Sequence, residues 1–131
     1  MQPLARAGHP TGMMLNWSEY KQQIAAAVGQ IAAVSPEIVR GYRALSDAGQ
    51  KGGKLDAKTR ELIALGVAVT RQCDGCIAVH TEAALKHGAT REEIVEALGV
   101  AVAVNAGAAL VYSTRVMDAV QAQTAVAPPV A

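Results

Sequence analysis

Two thiols, an imidazole and a carboxylate stand at spacings that allow redox or acid–base chemistry. Cys73 and Cys76 are the two cysteines of the chain, with two residues between them, and His80 follows the second by four. A cysteine pair this close, in a chain with no other cysteine, points to redox activity or metal binding rather than a structural staple. Cys76 and His80 fall one helical turn apart, so a helix would set nucleophile and base on one face. If that helix begins near Cys73 or Asp74, both thiols lie in its first turn. There, unpaired backbone N–H groups and the helix dipole favour a thiolate. Zinc is the competing use. Cys73, Cys76 and His80 supply three ligands, whereas a structural zinc site wants four, and His87 lies too far along the helix to complete the set. Glu61, eleven residues before Gln72, opens an uncharged run from Leu62 to Thr70. A straight helix carries it about 16 Å from Gln72. It meets the thiols only if the next helix folds back, and an ideal hairpin would set it level with Ala83 or Ala84.

The elements that must position these groups read as helices throughout. Tyr20, Ile24, Ala27, Val28 and Ile31 recur at helical spacing, predicting a helix from about Ser18 to Ala33. Ser35-Pro36-Glu37 is a start signal for a second helix, ending near Ala48-Gly49. After a Gly- and Lys-rich loop, Asp56 caps a third helix reaching about Arg71. Its uncharged run from Leu62 to Thr70 predicts a central, buried element. The fourth runs from about Cys73 to His87 and stops at Gly88. Thr90 and Glu93 form a capping box for a fifth, expected to reach about Val120 with a break near Asn105-Ala106-Gly107. No stretch alternates with period two, so the class is all-α.

Composition narrows the rest. The formal net charge is +1 and aromatic residues make up 3% of the chain. Neither supports nucleic-acid binding or attraction to an acidic membrane. Residues 1–15 hold no continuous apolar core, so a secretion signal is not expected and a cytoplasmic location is. They read as a flexible lead, residues 16–121 as one domain, and residues 122–131, with Pro128-Pro129, as a loose tail. Ala97 to Thr114 carries no charge and approaches a membrane-spanning length. Its alanine, Gly99, Asn105 and Gly107 predict instead a helix buried in protein, with Asn105 hydrogen-bonded between helices. Gly99, Ala103 and Gly107 recur every fourth position and leave a groove for a partner helix. A homo-oligomer follows, because a helix uncharged all round needs cover on several sides.

From about Leu55 to Met117 the chain resembles the AhpD-like superfamily, which includes alkylhydroperoxidases and carboxymuconolactone decarboxylases. That family's pattern of Glu, eleven residues, Cys, two residues, Cys, three residues, His falls on Glu61, Cys73, Cys76 and His80 without a gap. Arg60-Glu61-Leu62, Ala83-Ala84-Leu85 and Gly88-Ala89-Thr90-Arg91-Glu92-Glu93-Ile94 are also similar. The resemblance implies an AhpD-like helical bundle assembled as a trimer or hexamer, and reduction of a hydroperoxide. In that chemistry Cys76 attacks and becomes a sulfenic acid, and Cys73 condenses with it to a disulfide. His80 and Glu61 relay protons. A dithiol, lipoyl or thioredoxin-like, restores the thiols, and no bound cofactor is required. The longer alkylhydroperoxidases carry a second histidine between the cysteines, where this chain has Gly75. Two other functions compete. One is lactone decarboxylation with His80 and Glu61 as acid and base, for which the central helices offer Arg71 alone as a cation. The other is a non-enzymatic oligomeric redox sensor.

Overall fold

The computed structural model describes residues 12–125 as five helices, with no strand among the described residues: α1 Trp17–Val34, α2 Pro36–Ala48, α3 Ala57–Thr70, α4 Asp74–Lys86 and α5 Arg91–Ala125. The expected lead, apart from residues 12–15, and the last six residues of the expected tail lie outside the described residues. Local chemistry explains the boundaries. Asn16 caps α1 by accepting the Glu19 N–H at 3.2 Å, and Asp56 caps α3 by accepting the Thr59 N–H at 2.7 Å. Thr90 and Glu93 form the expected box, with Thr90 N–H donating to Glu93 at 2.9 Å and Glu93 N–H to Thr90 Oγ1 at 3.1 Å. Ser35 makes no side-chain cap; Pro36, at the first helical position, sets the start of α2 instead.

α3, α4 and the first half of α5 form the body. α4 packs on α3, and α5 packs on the other flank of α3. Three contacts fix the α3–α5 register. Lys58 Nζ donates to Glu93 at 2.8 Å, a methyl on Gly66 would lie 3.8 Å from Ala101 Cβ, and Asn105 Nδ2 donates to Thr70 Oγ1 at 2.8 Å. Each pair is separated by the same number of residues, so the two helices run parallel. α1 leans on α4, and α2 packs on α1 alone among the described elements.

The core is small. Leu65, at 3% exposure, and Ala84, at 0%, pack with Ala89, and Leu62 and Ile94 close around them. Burying one leucine of this kind contributes about 1.5–3 kcal/mol. The single subunit leaves much of the surface expected to be buried open. Ile63 and Val67 on α3 are exposed, so the uncharged run of that helix is central without being covered. Between Ala97 and Thr114 one residue, Ala101, is buried. Asn105 does bridge two helices, but it is itself exposed.

α5 also has no break at Asn105-Ala106-Gly107, and it continues four residues beyond the expected domain end at 121. The Asn105 amide holds the helix there by donating to Ala101 O, one turn back, at 2.8 Å. Gln121 to Ala125 contains no Gly or Pro to stop it. Because α3 ends level with Asn105, the following 20 residues of α5 project about 30 Å past its end. By length and composition this is a helix able to cross a bilayer, and none of its apolar window is buried in the subunit.

Candidate functional site

The thiol pair sits at the chain reversal between α3 and α4. Two hydrogen bonds close α3. Gln72 N–H donates to Val69 O at 3.2 Å and Cys73 N–H to Ala68 O at 3.1 Å. That pattern requires a left-handed residue at the end of the helix, normally glycine. Here it is Gln72, at φ +52°. The end of α4 repeats the motif with the usual residue, as Gly88 adopts φ +85° and Ala89 N–H donates to Ala84 O at 2.9 Å. Sequence reasoning found Gly88 and missed Gln72, because a glutamine carries no turn signal.

The reversal delivers Cys73 as the N-cap of α4, in extended backbone, with its Sγ accepting the Cys76 N–H at 3.2 Å. Cys76 is the third residue of the helix. The two are joined as a disulfide, with Cα atoms 5.2 Å apart, and both are partly buried. Asp74, exposed, occupies the first position of the helix, where its charge suits the dipole. Gly75 faces α1. A methyl there would lie 3.9 Å from Ile24 Cγ2, so a larger side chain at this position would press on α1.

The second pair is His80 and Glu61, with Nδ1 and Oε2 2.6 Å apart. Their side chains are 31% and 21% exposed, so each keeps a solvent edge. The contact answers the difficulty raised by the ideal hairpin. From the level of Ala83 back to His80 is three residues, about 4.5 Å, within what a glutamate and an imidazole span together. A carboxylate facing Nδ1 fixes the tautomer with the proton on that nitrogen and leaves Nε2 free. Cys76 precedes His80 by one turn, so the two side chains leave the same face of α4. All four expected residues thus lie at one seam, as two bonded pairs linked by one turn of α4. No group of three or more His, Cys, Asp or Glu side chains among the described residues is arranged to hold a metal. A cleft of about 660 Å³ opens nearby between α1 and α4, lined by Trp17, Lys21, Ile77, Glu82 and Leu85 among others. It includes none of the four site residues and adjoins a different face of α4.

The fold and site together define an all-α protein with a Cys-x-x-Cys pair at a helix start and a histidine–glutamate pair behind it. The family model for the carboxymuconolactone decarboxylase family matches residues 36–119, and the chain belongs to that family. It is 44% identical over 113 residues to an uncharacterized protein of Haemophilus influenzae, covering 86% of this chain and all of that one. It is 38% identical over 92 residues to uncharacterized protein 4 in the cox locus of Paracoccus denitrificans, covering 70% and 83% of the two chains. Among solved structures it is similar to an apo carboxymuconolactone decarboxylase family protein from Legionella pneumophila. That match has a TM-score of 0.64 and 39% identity, covering 79% of this chain and 92% of the other. A protein from Methanobacterium thermoautotrophicum matches with a TM-score of 0.62 and 29% identity, over 68% and 97%.

Proposed function

We propose that the protein is a dithiol-dependent hydroperoxide reductase of the cytosol. The observation that carries this is the His80–Glu61 pair, 2.6 Å apart, one helical turn behind a bonded Cys73–Cys76 pair. In the reduced protein His80 Nε2 takes the Cys76 proton, with Glu61 holding the ring. The Cys76 thiolate attacks the terminal peroxide oxygen, the O–O bond breaks, and the alcohol leaves with a proton. Cys73 then attacks the sulfenic sulfur, expelling water and forming the disulfide. An external dithiol reduces it and is itself oxidised to a disulfide. The same proposal takes the working unit to be a homo-oligomer, trimer or hexamer, because most large apolar side chains of α2 and α5 are exposed in one subunit.

The test is thiol counting on the reduced protein before and after one equivalent of an alkyl hydroperoxide. Two thiols should be lost per chain and one alcohol formed, and Cys76→Ser should abolish both. Unchanged thiols would refute the proposal. Lactone consumption by a double cysteine variant would instead favour His80 and Glu61 as a decarboxylating acid–base pair. A disulfide that forms without turnover, and changes assembly, would favour a sensor.

A further inference from the structure

The two cysteines meet different partners, and the difference sets the direction in which the disulfide opens. Cys73 Sγ lies at the N-cap of a 13-residue helix and accepts the Cys76 N–H at 3.2 Å. Its β-region backbone, φ −104° and ψ 96°, and the Cys73 N–H bond to Ala68 O keep it there. The backbone contact to Ala68 O involves neither sulfur. A thiolate formed on Cys73 therefore finds a backbone donor and the positive end of the α4 dipole already in place. Cys76 Sγ, as the third residue, receives no such hydrogen bond among the described residues. One turn on stands His80, whose Nδ1 is engaged by Glu61 and which the proposed chemistry makes the proton partner of Cys76. One sulfur can thus leave as an anion unaided, and the other leaves best by gaining a proton.

We infer that the reductant enters at Cys76 and that Cys73 is the leaving sulfur. This rests on the dithiol chemistry proposed above. A thiolate of a small dithiol attacks Cys76 Sγ. A sulfur–sulfur bond forms between them, the Cys73–Cys76 bond breaks, and its electron pair passes to Cys73 as a capped thiolate. The second thiol, deprotonated through His80, then attacks the reductant's own bonded sulfur and closes a cyclic disulfide. Cys76 Sγ departs and takes the proton back from His80. Two electrons pass from the dithiol to the protein. The order follows from leaving-group quality, since a thiol–disulfide exchange runs faster toward the better stabilised thiolate. Gln72 is the positioning residue of this arrangement, because its left-handed turn brings Cys73 to the cap.

A monothiol freezes the first step. The oxidised protein is treated with excess 2-mercaptoethanol for seconds, quenched in acid, and its free thiols are alkylated with N-ethylmaleimide. Trypsin releases residues 72–86, between Arg71 and Lys86, as one peptide holding both cysteines. Fragmentation should place mercaptoethanol on Cys76 and maleimide on Cys73, in excess over the reverse by about tenfold, the factor one charge-assisted hydrogen bond supplies. His80→Ala should keep that placement while slowing release of Cys76 by a dithiol, so a mixed disulfide accumulates on Cys76. Adducts mainly on Cys73, equal mixtures, or a disulfide that 2-mercaptoethanol does not open each overturn the inference. The readout needs no peroxide. A Cys76 adduct in a protein that fails to reduce hydroperoxides keeps this inference and removes the proposed function; a Cys73 adduct in an active peroxidase does the opposite.

Discussion

Glu61→Gln isolates what the carboxylate does for His80. The substitution keeps the length and an acceptor oxygen 2.6 Å from Nδ1 but removes the charge. A hydrogen bond to a charged partner is worth about 1.5–3 kcal/mol and a neutral one about 0.5–1.5, so about 1–1.5 kcal/mol is at stake. If that difference falls on the step in which His80 takes the thiol proton, the rate drops by about 5- to 12-fold. Glu61→Ala removes the partner altogether and should approach the loss seen for His80→Ala, about 10²-fold or more. The assay is single-turnover thiol loss of the reduced protein with cumene hydroperoxide, alongside iodoacetamide alkylation of Cys76. A melting curve serves as control, because both side chains keep a solvent edge and the pair contributes little to net stability. If Glu61→Gln and Glu61→Ala both react within twofold of the natural protein while His80→Ala is slow, the carboxylate has no part in the proton transfer.

Other perturbations address the frame around the site. Leu65→Ala empties the best-buried large side chain and should cost about 2–5 kcal/mol by urea titration. Gln72→Gly relieves the left-handed turn at φ +52°, a gain of about 1–2 kcal/mol partly offset by freedom in the unfolded chain, so the midpoint should rise by roughly 2–5 °C. The backbone N–H of Thr59 holds the Asp56 carboxyl below its ordinary range, and Lys58, with Thr90, does the same for Glu93. A depressed carboxyl stabilises the fold above its unfolded pKa and loses that effect as pH falls through the folded one. Acidification below about pH 4 should therefore lower the midpoint, and Asp56→Asn with Glu93→Gln should flatten that decline. Ala103→Glu places a charge on the side of α5 away from α3 and should shift light scattering toward smaller species; a natural sequence that stays monomeric and folded at micromolar concentration would refute the assembly.

Most residues that cap and punctuate the helices were legible, but Asn16 was not, Ser35 makes no side-chain cap, and the residue that turns the site gave no signal. Asp56, Thr90, Glu93 and Gly88 announce themselves because each side chain, or its absence, satisfies a specific backbone group. Gln72 adopts a glycine's conformation for reasons that lie in its neighbours, the carbonyls of Ala68 and Val69. Cys73, Cys76, His80 and Glu61 were found by spacing, but the spacing alone predicted a Glu61 too far along the hairpin. Side-chain reach, which a count of residues omits, closed the gap. The uncharged run in α3 reads as burial within the chain, and that in α5 as burial that a second subunit completes. An apolar pattern records that a surface avoids water, not which molecule covers it, and Val67, Leu110 and Val111 remain exposed here.

On the proposed assembly a second copy of the chain covers that surface, and it meets fewer obstacles there than a bilayer would. The α3–α5 register sets Thr70 beside Asn105, so Arg71 stands level with Ala106, the middle of the uncharged stretch from Ala97 to Thr114. Spanning a membrane would carry exposed Arg71, and Asp74 just past the turn, to the centre of the hydrocarbon. Each such charge costs about 2.5–3.5 kcal/mol even on the mildest scale. A protein neighbour makes no such demand. Gly99 and Gly107 have no atom within 4 Å of where a Cβ would be, on the side of α5 turned away from the Gly66 contact. A partner backbone can therefore come close there. Cover of this kind also matters to the chemistry. Val79 is exposed three residues after Cys76, on the same face of α4, and Ile63 and Val67 are exposed on α3. Both cysteines are themselves only partly buried in a lone subunit. On the proposed assembly, a neighbour that covered the remaining solvent edge of His80 and Glu61 would exclude water and strengthen that pair, since a lower dielectric strengthens electrostatic interactions.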